Sequence, residues 1–142
     1  MLHDLGKLAI PDAVLHKPGA LDDAEWQEIR RHPEIGARIL AHAGLTDVAE
    51  WVYAHHERID GCGYPLGLAG EQIPLEARIL AVADAFEAMI ADRLYRAGVD
   101  ASAAIAELLA CAGSQFDPRV VEAFLPTVDE RAPRPASAIA ST

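Results

Sequence analysis

One carboxylate constrains this chain more than any other residue. Asp84 sits inside Ile79-Leu80-Ala81-Val82-Ala83-Asp84-Ala85-Phe86, in a stretch over 75–91 that reads as a strong helix after Pro74. Its neighbours one or two turns away include Ala77, Leu80, Ala81 and Ala88, apolar on both sides. A carboxylate so placed costs several kcal/mol unless it is paired or metal-bound. A capping role is impossible in mid-helix, so the position points to a metal ligand.

The same logic identifies other donors. His3-Asp4 opens the chain, and Lys7 lies three residues on, on the same helical face as Asp4. An Asp has two oxygens and can bridge two metals, and an adjacent neutral imidazole can serve one of them. Bridging is how a two-metal site holds its ions about 3.5–4 Å apart. Lys7 is placed to reach a phosphate oxygen. His55-His56 ends a stretch in which Val48, Trp51, Val52 and His55 follow helical spacing. Successive helical residues point about 100° apart, so a single ion is poorly served by both and two adjacent ions are served well. His32-Pro33 falls at a helix junction. His16, beside a Lys-Pro-Gly turn, and His42, at a helix end, read as surface residues. Imidazole and carboxylate together suit Fe, Mn or Zn, and such ions suit phosphoester hydrolysis. There is no GxxxxGK[ST] loop and no evident Ser or Cys nucleophile with a base.

The chain reads as all-α. Residues 1–9 end a helix, and Pro11 and Lys17-Pro18-Gly19 break the pattern. Asp22 or Asp23 caps a helix over 23–32, Pro33 opens the next one, which closes at Gly44, and Asp47 caps one running to about Glu57. Asp60 to Gly70 holds four glycines and a proline and is a loop. The 75–91 helix carries an apolar stripe of Ile79, Val82, Ala83, Phe86 and Ile90. Asp100 caps a helix over 101–112, and Asp117-Pro118 starts the last one. Residues 1–126 form one domain, and residues 127–142, rich in Pro, Ala and Ser, read as a disordered tail.

A formal net charge of −10 argues against a nucleic-acid polymer as partner. It leaves room for a small anionic ligand drawn by metals. The two cysteines, Cys62 and Cys111, form no framework and fit a reducing cytoplasm. No stretch is long and apolar enough to span a bilayer.

The order of motifs resembles the HD-GYP branch of the HD phosphohydrolases. It runs through His3-Asp4-Leu5-Gly6-Lys7, Ile10-Pro11-Asp12, Lys17-Pro18-Gly19, His32-Pro33, His55-His56-Glu57, Asp60-Gly61, Gly63-Tyr64-Pro65, Ala77-Arg78-Ile79 and Asp84. It continues through Arg93-Leu94-Tyr95-Arg96 and Gly113-Ser114-Gln115-Phe116-Asp117-Pro118, covering residues 1 to about 125. The resemblance implies an HD-type helical bundle with a Gly-rich loop, and metal-dependent hydrolysis of cyclic di-GMP to the linear dinucleotide and on to GMP. It implies two or three divalent ions, Fe or Mn before Zn. Asp4 would bridge them, with His3, His32, His55, His56 and Asp84 completing the shell. Asp4 and Lys7 would be the catalytic pair; Lys7, Arg93, Arg96 and Tyr64 would contact substrate. The loop around Tyr64 would also meet a diguanylate-cyclase-type signalling protein. The family places further helices before its His-Asp motif, supplying another His, so this chain is expected to be truncated at its N-terminus. It departs from the family at Glu87-Ala88-Met89-Ile90-Ala91, at Leu94 and at Cys62. Two other readings stay open: a catalytically silent module that binds nucleotide or a partner, and a mononucleotide phosphohydrolase.

Overall fold

The computed structural model describes residues 2–92 and 97–129. A 3₁₀ helix, Leu2–Ala9, is followed by α1 (Asp12–Leu15), α2 (Asp23–Ile29), α3 (His32–His42) and α4 (Thr46–Ala54). After a long loop and a 3₁₀ turn at Gly70–Gln72 come α5 (Leu75–Ile90), α6 (Ala101–Ala110) and α7 (Pro118–Asp129). The described residues contain no strand, only isolated bridges such as Asp60 with Ala69. The chain is all-α, as its sequence predicts.

Two apolar clusters hold the helices, and the candidate site lies between them. Leu40, Ala49 and Val52 join α3 to α4, with Leu5 of the first 3₁₀ helix against them. Val82, Leu108, Phe116, Val120 and Val121 join α5, α6 and α7. A smaller cluster, Ala54, Ile73 and Ala77, ties α4 to α5.

Several boundaries shift from their expected places. Asp22 caps α2 through a reciprocal box: its carboxylate accepts from Glu25 N at 2.9 Å, and Glu25 accepts from Asp22 N at 2.8 Å. Asp47 is not a cap; Leu45 holds that position and Asp47 lies in the first turn of α4. The α5 stripe is also different. Ile79 and Ile90 are 49% and 41% exposed, while Ala81, Val82, Ala85, Phe86 and Met89 face the core. Apolar residues are spread around much of this helix, so its sequence period chooses a face only weakly. The last helix runs to Asp129 with Val128 buried, past the expected boundary at 126. Residues 130–142 of the expected tail lie outside the described residues.

A buried ion pair fastens α5 to the start of α7. Arg78 donates to Asp117 at 2.6 Å, and Arg119 donates to the same carboxylate at 3.0 Å. Asp117 is 3% exposed, and its pKa is brought down to about 2 by the Arg119 side chain, against burial, with help from the Arg119 backbone N–H and Arg78. Arg119 is mostly solvated, so its share is screened; Arg78, 11% exposed, is the less screened partner. A carboxylate with a depressed folded pKa contributes stability above its unfolded value and loses it as pH falls through the folded value. Discounted for that screening, Asp117 contributes about 1–2 kcal/mol at neutral pH, lost between about pH 4 and pH 2. Urea unfolding of Asp117→Asn should show a flatter stability profile across that window than the wild type. Parallel profiles would remove Asp117 from the acid transition.

Candidate metal centre

Glycine places the first donors. An added Cβ at Gly6 would stand 1.9 Å from the His32 carbonyl oxygen and 2.7 Å from Gly36 N. Only a residue without Cβ lets the 3₁₀ helix cross α3 so closely, and the crossing carries His3 and Asp4 to His32. Both His3 and His32 are buried.

α4 ends at Ala54, three residues earlier than expected, with His55 as its C-cap. This removes the 100° divergence predicted for two helical residues. The rings of His55 and His56 lie 4.0 Å apart between centroids. One ligand atom each from His32, His55 and His56 falls within 4.8 Å of the others, so all three can reach one ion. On the other flank, His3 Nε2 lies 3.2 Å from Asp84 Oδ1 and 3.6 Å from Asp4 Oδ2. The rings of His3 and His55 are 5.4 Å apart, which joins the two flanks. All six expected ligands thus converge. Surface readings of His32 and His3 are excluded by their burial, whereas His16 and His42 are exposed, as expected.

The protonation pattern suits cations. His32 Nδ1 donates to Ile29 O at 2.7 Å, and His55 Nδ1 donates to Val52 O. Each bond fixes the tautomer that leaves Nε2 with a lone pair. His55 Nε2 is buried and has no hydrogen-bond partner. Such an orphan is expensive unless something absent from the polypeptide satisfies it. His32 Nε2 and His56 Nε2 stand 3.2 Å apart, close enough to share one proton or to meet at one cation. Burial lowers the pKa of His32, and it takes His55 down to about 4 and, with His55 and His32 adding to it, His56 to about 3. All three are therefore neutral imidazoles at neutral pH. The hydrogen bond from His3 holds the Asp84 carboxyl below its usual range, and the same contact raises His3. Burial opposes ionisation of Asp4, but the Lys7 ammonium at 2.6 Å more than offsets it and the net shift is downward. Ionised carboxylates beside neutral imidazoles are a donor set for intermediate divalent ions. The residues present fit a metal centre.

The Gly-rich loop is a clamp on this centre. Glu57 is buried and accepts from Leu66 N at 2.6 Å and Leu68 N at 2.9 Å. A Cβ at Gly63 would lie 2.4 Å from Arg58 N and 2.5 Å from Glu57 Cα, so only glycine fits. Tyr64 then stacks on His56 with centroids 4.9 Å apart, and the Arg30 guanidinium lies 5.1 Å from the Tyr64 centroid. Burial pushes the Tyr64 hydroxyl up to about 12, so it stays a phenol. Residues 114–115 brace the loop from outside: Ile59 N donates to Gln115 O at 3.2 Å and Asp60 N to Ser114 O at 3.0 Å. Sequence reasoning gave no role to Glu57 or Arg30. A Glu directly after two candidate-ligand histidines was the available signal for the first; nothing in the sequence signals the second.

Five of the six expected ligands, His3, Asp4, His32, His56 and Asp84, line a cavity of about 550 Å³ together with Lys7, Trp26, Ile29, Tyr64 and Glu87. Arg93 and Arg96 lie outside the described residues.

The profile of the HD domain family matches residues 1–120. This chain belongs to the HD domain family. Its motifs and relatives put it in the HD-GYP branch of HD domains. It is 50% identical over 127 residues to the cyclic di-GMP phosphodiesterase response regulator RpfG of Xanthomonas campestris pv. campestris, covering 87% of this chain and 34% of that protein. It is 46% identical to 3'3'-cGAMP-specific phosphodiesterase 2 of Vibrio cholerae, over 91% of this chain and 25% of that protein. The HD domain chain therefore spans about a third or less of the length of these relatives. Among solved structures, a cyclic GMP-AMP-specific phosphodiesterase of Vibrio cholerae shares the fold, with a TM-score of 0.68 at 22% identity over 90% of this chain and 36% of that one. No helix among the described residues is long and apolar enough to cross a membrane.

Proposed function

We propose that this chain is the metal-dependent phosphodiesterase domain of a cyclic di-GMP signalling protein, cleaving the cyclic dinucleotide to its linear form and then to GMP. The observation that carries the proposal is the gathering of six candidate ligands, five of them on the wall of a cavity wide enough for a nucleotide and the sixth, His55, buried against His3 and His32. The names of its relatives support the substrate.

Asp4, His3 and Asp84 supply one set of donors, and His32, His55 and His56 the adjoining set. Two ions, or three with further donors, would be held by this set, with Asp4 as the bridging ligand; the N/O donors suit Fe, Mn or Zn, and the resemblance favours Fe or Mn. Divalent ions bound there supply Lewis acidity toward a phosphoryl oxygen and lower the pKa of water. Lys7, on the cavity wall, meets the charge of the substrate phosphate and holds Asp4 ionised. Arg93 and Arg96 are proposed as further phosphate contacts. Tyr64 keeps the His56 ring in place, besides lining the substrate cavity. A diguanylate-cyclase-type partner would dock on the outer face of the loop, where Leu66 is exposed.

The test is anaerobic incubation of the purified chain with Mn(II) or Fe(II) and cyclic di-GMP, with products resolved by chromatography. Linear dinucleotide followed by GMP is the expected result. Cyclic di-GMP bound by a metal-loaded protein but never cleaved would instead establish a silent binding module. Cleavage of mononucleotides alone would move the chain to the other phosphohydrolases.

A further inference from the structure

We infer that one face of α2, formed by Asp23, Trp26, Gln27 and Arg30, is a base-reading platform that selects a guanine of the cyclic dinucleotide. The inference rests on the proposed activity and adds a specificity site to it.

The four residues follow the spacing i, i+3, i+4, i+7, so they share one helical face. That face spans roughly 10 Å, room for one purine. It lines a polar cavity of about 280 Å³. Trp26 is the wall common to this cavity and the larger one that holds the metal ligands. A ligand whose phosphates lie at the metal centre can therefore reach the α2 face without leaving the protein surface.

The local fold leaves these side chains available. The cap of α2 uses Asp22 and Glu25, not Asp23. The ion pairs at either end join Lys17 to Glu25 and Arg31 to Glu28. Trp26 is 48% exposed, a large indole surface at the edge of a polar cavity. Base–aromatic stacking on such a surface is worth about 1–3 kcal/mol. The platform is fixed relative to the metals at two points. Ile29, the last residue of α2, accepts the Nδ1–H bond of His32 at 2.7 Å. Arg30 rests on Tyr64, which stacks on His56.

The chemistry matches guanine. A carboxylate accepts from the adjacent N1–H and N2–H groups of guanine, whereas adenine presents an acceptor at N1. A guanidinium donates to guanine O6 and N7. Asp23, Arg30 and Trp26 together offer acceptor, donor and stacking surface, and the Gln27 amide can serve either edge.

Because Trp26 and Trp51 are the only tryptophans, the platform can report on itself. In Trp51→Phe protein loaded with Mn(II), Trp26 emission is followed by stopped flow before turnover. Cyclic di-GMP should quench it strongly, and cyclic di-AMP should bind about tenfold more weakly or worse. Asp23→Asn should erase most of that preference, because the amide replaces with a donor one of the two acceptors that guanine N1–H and N2–H need. Binding of cyclic di-GMP seen by equilibrium dialysis with unchanged Trp26 emission, or an unaltered preference in Asp23→Asn, would overturn the platform and leave the phosphodiesterase reading standing. No binding of cyclic di-GMP at all would overturn both.

Discussion

Asp4→Ala should strip the protein of metal and of hydrolysis together while leaving it folded. Asp4 touches Lys7 at 2.6 Å and lies 3.6 Å from His3 Nε2. Asp4 and Lys7 are each 38% exposed, so the ion pair between them is screened and worth at most about 1 kcal/mol. Folding therefore does not depend on Asp4. Metal retention does, if Asp4 bridges. Loss of a residue that merely orients a ligand costs roughly 10–100-fold in metal affinity or activity. Loss of a ligand shared by two ions should exceed about 100-fold in both. Metal content after gel filtration, the rate on cyclic di-GMP and the melting temperature are the three readings. A metal-loaded, fully active mutant would sink the bridging assignment. A mutant that has lost both properties and also unfolds would show that Asp4 acts on stability instead.

Most of the candidate donors stood out in the sequence because they broke a local rule. Asp84 stood in an apolar helix where a charge is costly. His55-His56 gave two imidazoles in succession, and His3-Asp4 stood three residues from a lysine. The structure joins all six, although the angular argument for His55 and His56 failed. It assumed that α4 continues to Glu57, whereas Glu57 turns inward to accept two loop amides. That is a tertiary demand, invisible to helical periodicity. The stripe of α5 held at Val82 and Phe86 and failed at Ile79 and Ile90, which are exposed, while Ala81, Ala85 and Met89 pack against the core. The roles of Tyr64 and Arg30 required coordinates, because their partners are 8 and 34 residues away in sequence (64−56 and 64−30).

The steepest structural dependence should lie at Gly6, which has no chemistry of its own. Its missing side chain is what allows the His3-Asp4 segment to lie against α3. A methyl group there would stand 1.9 Å from a carbonyl oxygen, and a backbone atom cannot swing aside as a side chain can. Overpacking of this kind costs about 1–3 kcal/mol or more, and the backbone clash places Gly6→Ala at the upper end. For a domain of this size that is a fall of roughly 10 °C in melting temperature. Relief of the clash moves the 3₁₀ helix away from α3, so His3 and Asp4 withdraw from His32, and metal content should fall with stability. Gly36 faces the same crossing from the other side, and the outcome there should differ. A Cβ at Gly36 meets Gly6 N at 3.2 Å and Val52 Cγ1 at 3.4 Å, contacts that yield to a shift of a few tenths of an ångström. Alanine also gains up to about 1 kcal/mol over glycine inside an α-helix. Gly36→Ala should therefore be close to neutral in melting temperature and keep its metal. Differential scanning calorimetry with metal analysis on both variants reads the contrast. Equal melting temperatures and equal metal content in the two would mean that the crossing is looser than described, and that His3 and Asp4 reach the cluster by some other support.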